Sequence, residues 1–274
     1  AQRCKESTMI NEIVIYQVDA FTDEPFKGNP AGVVILAVEA PLDWMQNIAM
    51  EMNLSETAFI FPCKTGFMIR YFTPEREVPL CGHATLASSH IIYELGLKAL
   101  HETIVFQAKG GELTVKNERG NIVMNFPEYS LQKIETNKDF NRVVGFEPVE
   151  MYSSDYGWVI AVSKEEKEIA NAKPIVEEMI KSGLGHLTIT AKAEFSDADF
   201  VLRCFAPVSG INEDPVTGSA HCALTPLWSR KLGKNELESL QLSKRTGRMK
   251  VRMCDNRVEI QGKALTIFEI KLKI

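Results

Sequence analysis

Residues 67–88 read FMIRYFTPEREVPLCGHATLAS, and residues 200–224 read FVLRCFAPVSGINEDPVTGSAHCAL. Both open F-x-x-R-x-F-x-P and continue into P-x-x-G-x-A. Both then run into a mostly apolar segment that closes on Leu-Gly, at 95–96 and at 232–233. The spacing from proline to glycine is 8 residues in the first copy and 11 in the second, and three residues inserted in the SGINED region account for the difference. Two blocks repeated in the same order predict two similar domains, each with a strand, a glycine turn and one buried central helix wrapped by strands. A site between two pseudo-symmetric halves follows, since domain interfaces are favoured positions for pockets.

The surrounding chain fits this frame. Strand-like runs bounded by Gly, Pro or Asn dominate residues 12–126: EIVIYQVDAF, GVVILAV, TAFIF, FMIRYF, TIVFQA, ELTV and NIVMNF. LDWMQNIAMEM (42–52) predicts a helix capped by Asp43, and ATLASSHIIYELG (84–96) predicts a second, buried nearly all round because it carries so little charge. The second half repeats the pattern, with strands at 158–162, 186–190 and 199–205, helices between the first two of these and after Ala223, and four closing strands. Many strands with few helices indicate an α+β fold and argue against a doubly wound parallel sheet. The expected boundary falls near residue 128, giving halves of 1–128 and 129–263, with the last strand, 264–274, crossing back to the first half. Residues 128–157 are not placed by pattern.

Composition excludes several function classes. The chain has 274 residues, 45% hydrophobic and 24% charged, with a net charge of −5. Acids and bases are interleaved, so no basic face for nucleic acid is expected, and no apolar run is long enough to cross a membrane. The first residues, AQRCKESTM, have no apolar core of a secretory signal, and residues 1–8 read as a flexible tail. Six scattered cysteines without a CxxC read as reduced thiols of a cytoplasmic protein. No nucleotide-binding glycine motif, no GxSxG and no paired metal-ligand spacing occurs, so neither cofactor nor metal is expected.

The candidate site residues cluster at the two turns and at NLSETAFIF (53–61). Gly82 and Gly218 let the backbone approach a ligand, and free N–H groups at a helix start attract anions. Facing halves would aim both turns at one carboxylate or one developing enolate. Glu56 follows Ser55 at the entrance to a buried strand, where a carboxylate loses hydration and becomes a usable general base. His83, in the first turn of a buried helix, suits proton shuttling or donation to substrate. Cys81 beside it is a candidate acid/base thiol, though a small buried residue is the commoner role. Asp214 stands just before the second proline, and Ser219 takes the place of His83 in the repeat. Whether Glu213 and Asp214 cap a helix or serve a ligand is left open by pattern alone.

These blocks, with VDAFTDEPFKGNPAGVV (18–34) and MNLSETAFI (52–60), resemble the PhzF-like family, named for the phenazine biosynthesis isomerase, within the diaminopimelate epimerase-like fold. The resemblance implies two strand barrels, each around a central helix, and a homodimer. It implies Glu56 as the acid that moves the proton, His83 and Asp214 as polar partners, and Ser55 and Ser219 as flanking substrate contacts. Gly82 and Gly218 would present helix N-termini to a substrate carboxylate. The amino-acid epimerases of this fold use two facing cysteines, and here the second turn has none. A proton-moving isomerase of a small carboxylate is therefore expected. An epimerase using Cys81 with Asp214 or Glu56, or a binding protein that has kept the fold, is the alternative.

Overall fold

A computed structural model describes residues 13–273. The tail read at 1–8, Cys4 included, lies outside the described residues. The first half contains β1 (Val14–Ala20), β2 (Asn29–Ile35), α1 (Leu42–Met52), β3 (Glu56–Cys63), β4 (Gly66–Phe72), β5 (Glu77–Val78), α2 (Gly82–Glu94), β6 (Ile104–Ala108), β7 (Gly111–Glu118) and β8 (Asn121–Pro127). Then follow β9 (Leu131–Ile134), α3 (Phe140–Val144), β10 (Glu150–Ser154), β11 (Val159–Val162), α4 (Glu166–Asn171), α5 (Val176–Lys181), β12 (Leu187–Lys192), β13 (Phe200–Ala206), β14 (Ile211–Asp214), α6 (His221–Leu232), β15 (Glu236–Gln241), β16 (Gly247–Cys254), β17 (Arg257–Gly262) and β18 (Ala264–Lys271).

The pairing is duplicated strand for strand. In the first half β1 and β2 are antiparallel, β2 and β3 parallel, β3 and β4 antiparallel, β4 and β6 parallel, and β6, β7 and β8 follow antiparallel. In the second half β10, β11, β12, β13, β15, β16 and β17 repeat that sequence of directions. β8 pairs with β17 and joins the two runs into one sheet. The outer strands are exchanged: β9, which follows β8, pairs with β10, and β18, which follows β17, returns to pair with β1. In the first half the sheet curls around α2, which packs against β1, β2, β3, β8 and β18, while α6 packs against β15, β16 and β17. Both helices are buried over most of their length because hydrophobic strands face them from several sides.

The repeated arginine has a structural role. Arg70 forks onto Glu77 of β5, Nε to Oε1 at 2.8 Å and Nη2 to Oε2 at 3.0 Å. Arg203 forks onto Glu213 of β14 at 2.7 and 3.0 Å. Each guanidinium also lies over the phenylalanine two residues on, 5.4 Å from the Phe72 centroid and 5.1 Å from that of Phe205. The clamp fixes the short strand immediately before each P-x-x-G turn, and bidentate geometry makes that placement directional. Glu213 is thus spoken for by Arg203, while its neighbour Asp214 is left to face the other half.

Two local expectations change. Asp43 lies inside α1, whose N-cap is Pro41 with no side-chain cap bond. α6 begins at His221, so Gly218 precedes it by a single turn, closed by His221 N–H to Gly218 O at 3.0 Å and Cys222 N–H to Ser219 O at 3.1 Å. Pro226 stays within α6 at low cost. Its missing N–H would orphan the Cys222 carbonyl, and Tyr129 N–H, from the segment after β8, bonds that oxygen at 2.9 Å.

Candidate active site

The two glycine turns meet. A Cβ built on Gly82 would lie 3.7 Å from Gly218 Cα and 3.8 Å from Ser219 N, and one on Gly218 would lie 3.7 Å from Gly82 Cα. Neither glycine has a left-handed φ. At Gly218 a Cβ would press on the Phe21 ring at 3.2 Å, so close packing favours glycine there, whereas at Gly82 a Cβ would make only ordinary contact. The start of α2 and the turn leading into α6 converge on one place, and each brings unsatisfied N–H groups and the positive end of a dipole.

Around this point the polar side chains form one chain of contacts. Glu56, at the first position of β3, puts Oε2 3.2 Å from His83 Nε2. The other ring nitrogen, His83 Nδ1, is 3.4 Å from Cys81 Sγ. Asn29, at the start of β2 and fully buried, crosses to the other half: its Nδ2 donates to Asp214 Oδ1 and to Val216 O, each at 2.8 Å. Both acceptors fix the amide orientation. Thr217 Oγ1 donates to Asp214 Oδ2 at 2.5 Å, and Gln241 braces the turn by donating to Asp214 O and accepting from Thr217 N–H, both at 2.8 Å. Asn29 Oδ1 and Glu56 Oε2 are buried oxygens without an aligned donor among the described residues. Ser55 lies half-buried just before β3, and Ser219 half-buried in the turn before α6.

Electrostatics couple these groups. Burial opposes a charged His83, but the Cys81 sulfur and the Glu56 carboxylate beside it outweigh that, and the imidazole is held well above its ordinary range. Burial, reinforced by Glu56, pushes the Cys81 thiol up, so we take the carboxylate as the ring's counter-charge. Burial pushes Asp214 up to about 6 against the lowering effects of His83, Thr217 and Asn29. Asp214 therefore changes protonation close to neutrality, which suits a group that hands a proton over.

The structure thus brings Glu56, His83, Asp214, Gly82, Gly218 and Ser219 to one junction of the halves. Thr217, not a cysteine, stands where the repeat matches Cys81, and Cys222 is buried with its thiol pushed up to about 12. Cys63, Cys81, Cys204, Cys222 and Cys254 are free. Glu56, Cys81 and His83 each place a possible ligand atom within 4.8 Å of the others, a grouping across two segments that spacing along the chain does not reveal. Asn29, Thr217 and Gln241 were also not singled out. For Asn29 the signal was present, a polar residue between Gly28 and Pro30 at the head of an apolar strand.

Comparison with known proteins agrees with this architecture. The family described as "Phenazine biosynthesis-like protein" matches residues 18–270. An uncharacterized isomerase of Halalkalibacterium halodurans is 42% identical over 94% of this chain and 97% of its own length. A crystal structure of a phenazine biosynthesis PhzC/PhzF protein of Clostridium difficile superposes with a TM-score of 0.88 at 39% identity, covering 96% of this chain and 100% of that one. A hydroxyproline epimerase of Agrobacterium vitis shares the fold at a TM-score of 0.64 and 11% identity, over 96% of this chain and 93% of that one. The chain belongs to the phenazine biosynthesis-like family and has the epimerase-like α+β fold.

Proposed function

We propose that this member of the phenazine biosynthesis-like family is an isomerase that moves a proton between carbons of a small carboxylate-bearing substrate. The observation that carries the reading is the contact of the two glycine turns beside the Glu56–His83 pair. The substrate carboxylate sits against the N–H groups of the two turns, where each helix start stabilises an anion by roughly 0.3–2 kcal/mol. Glu56 takes a proton from one carbon and returns it to another on the same face. The His83 imidazolium, 3.2 Å from the Glu56 carboxyl, offsets the negative charge that develops as the C–H bond breaks. Asp214, balanced near neutrality and steered by Asn29 and Thr217, binds a hydroxyl or amino group of the substrate or relays a second proton. The reading uses no cofactor, and it includes a homodimer acting in the cytoplasm.

The test is turnover of trans-2,3-dihydro-3-hydroxyanthranilate followed by absorbance. Conversion by the wild type and its loss in folded Glu56→Gln is the expected pair of results; binding without conversion would leave a binding protein on this fold. Cys81 Sγ, 3.4 Å from His83 Nδ1, supports a second reading in which the thiol is one base of an epimerase. Cys81→Ala separates the two: the isomerase keeps its activity, and the epimerase loses it.

A further inference from the structure

Three side chains able to bind a metal meet at the junction. Cys81 immediately precedes α2, His83 stands in its first turn, and Glu56 opens β3. Each offers one ligand atom, and every pair of these atoms lies within 4.8 Å. Cys81 Sγ is 3.9 Å from His83 Nε2, and Glu56 Oε2 is 3.2 Å from the same nitrogen. A tetrahedral zinc ion, with bonds of about 2.3 Å to sulfur and about 2.0–2.2 Å to nitrogen and oxygen, holds sulfur and nitrogen about 3.5–3.6 Å apart and nitrogen and oxygen about 3.3–3.5 Å apart. Both contacts are therefore close to the spacing such an ion sets. Glu56 Oε2 is buried and lacks an aligned donor despite its approach to the ring, so no well-formed hydrogen bond holds it when a cation enters. Nδ1 must carry the proton when Nε2 binds a metal. It lies 3.4 Å from the Asn29 amide nitrogen, and Asn29 Oδ1 is a buried acceptor without a donor. An amide oxygen beside the ring suits the outer partner that metal-bound histidines ordinarily have. The group is buried without being sealed, since the Glu56 side chain keeps 13% of its surface exposed.

We propose that Glu56, Cys81 and His83 form an inhibitory site for a zinc ion. The donor set selects the metal: thiolate and imidazole suit zinc, whereas magnesium and calcium require oxygen ligands. Three protein ligands leave the fourth position to water. As the ion enters, the Cys81 thiol and the His83 imidazolium each release a proton to solvent, and one dication replaces two protons. The buried group keeps the same net charge, so no uncompensated charge is added to the junction. The second glycine turn does not reproduce the site, because Thr217 and Ser219 stand where the repeat matches Cys81 and His83. The site itself is independent of the reaction. Its effect rests on the proposed function: with Glu56 and His83 committed to the cation, neither serves proton transfer, and turnover stops.

Cobalt(II) is the probe, because it takes the geometry of zinc and its absorption bands report both a bound thiolate and a tetrahedral field. One equivalent added to the chelator-treated chain gives the thiolate charge-transfer band and the visible tetrahedral bands, and zinc displaces it. Cys81→Ala loses the charge-transfer band and binds zinc roughly 100-fold more weakly, about the share of one ligand in a structural zinc site. Glu56→Gln keeps the charge-transfer band but binds more weakly, which decides the matter if the alanine variant does not fold. A combined Cys4→Ser, Cys63→Ser, Cys254→Ser variant, without Cys4 and the two half-buried thiols, keeps every band. No thiolate band in the wild type, an unchanged band in folded Cys81→Ala, undiminished binding in folded Glu56→Gln, or loss of the band in the combined variant overturns the site. Zinc bound here that leaves wild-type turnover unslowed upholds the site and counts against Glu56 as the proton carrier.

Discussion

Alanine at Gly82 and at Gly218 separates binding from packing. At Gly82 the new methyl meets its nearest neighbours at 3.7, 3.8 and 3.9 Å, which is ordinary contact, and no left-handed φ opposes the change. Gly82 is the first residue of α2, where alanine is at least as good a helix former. Gly82→Ala should therefore melt within a few degrees of wild type. Its methyl nevertheless stands 3.8 Å from Ser219 N, between the two turns, in the space assigned to the substrate carboxylate. Loss of about 1–2 kcal/mol of anion stabilisation corresponds to a carboxylate probe, benzoate, binding roughly 5–30-fold weaker. At Gly218 the methyl meets the Phe21 ring at 3.2 and 3.4 Å. Phe21 is fully buried with φ of 63°, so it has little room to yield, and overpacking of this kind costs about 1–3 kcal/mol. Gly218→Ala should lose both binding and stability. Calorimetric melting together with NMR titration reads both quantities. A folded Gly82→Ala that binds benzoate as wild type does would refute the placement of the carboxylate.

Three further outcomes follow from the same geometry. Glu213→Ala removes both carboxylate bonds to Arg203, which keeps the Ile169 and Ala172 carbonyls, and should cost about 2–3 kcal/mol in urea unfolding. Glu77→Ala should cost less, because Arg70 keeps Glu39 at 2.7 Å; equal losses would argue against the clamp as the positioning device. Asp214 titrates at about 6 in the folded chain against an ordinary 3.8, so its contribution to stability is full below pH 3.8 and is lost as pH rises through 6. Asp214→Asn lacks that dependence and should gain about 2 kcal/mol on wild type between pH 4 and pH 7, at 1.36 kcal/mol per pH unit, whereas a constant difference would contradict the assignment.

Much of this architecture is legible because duplication repeats a physical constraint. An arginine that must fork onto a glutamate and lie over a phenylalanine leaves F-x-x-R-x-F-x-P in both halves, and two turns in mutual contact leave a glycine in each. Long apolar strands and the two buried helices announce themselves by composition. The stretch 128–157 did not. β9 is four residues, largely exposed, and α3 is five, so neither shows a hydrophobic period. That same stretch supplies Tyr129 and Ser154 to the wall of a small cavity beside Ser219. The Glu56, His83 and Asp214 positions could be named from their motifs. Their partners Asn29, Thr217 and Gln241 follow only from packing between halves, which no local spacing encodes. The two adjacent acids are told apart by their partners: Glu213 belongs to its own half through Arg203, and Asp214 to the junction through Asn29.

The central claim is that Glu56 moves a carbon-bound proton in the cleft between the halves. Incubating small unsaturated carboxylates with the protein in D2O and reading deuterium at carbon by mass spectrometry tests it most directly. The account predicts incorporation with wild type and none above the enzyme-free rate with Glu56→Gln of unchanged melting temperature. Exchange by that variant at the wild-type rate would contradict it.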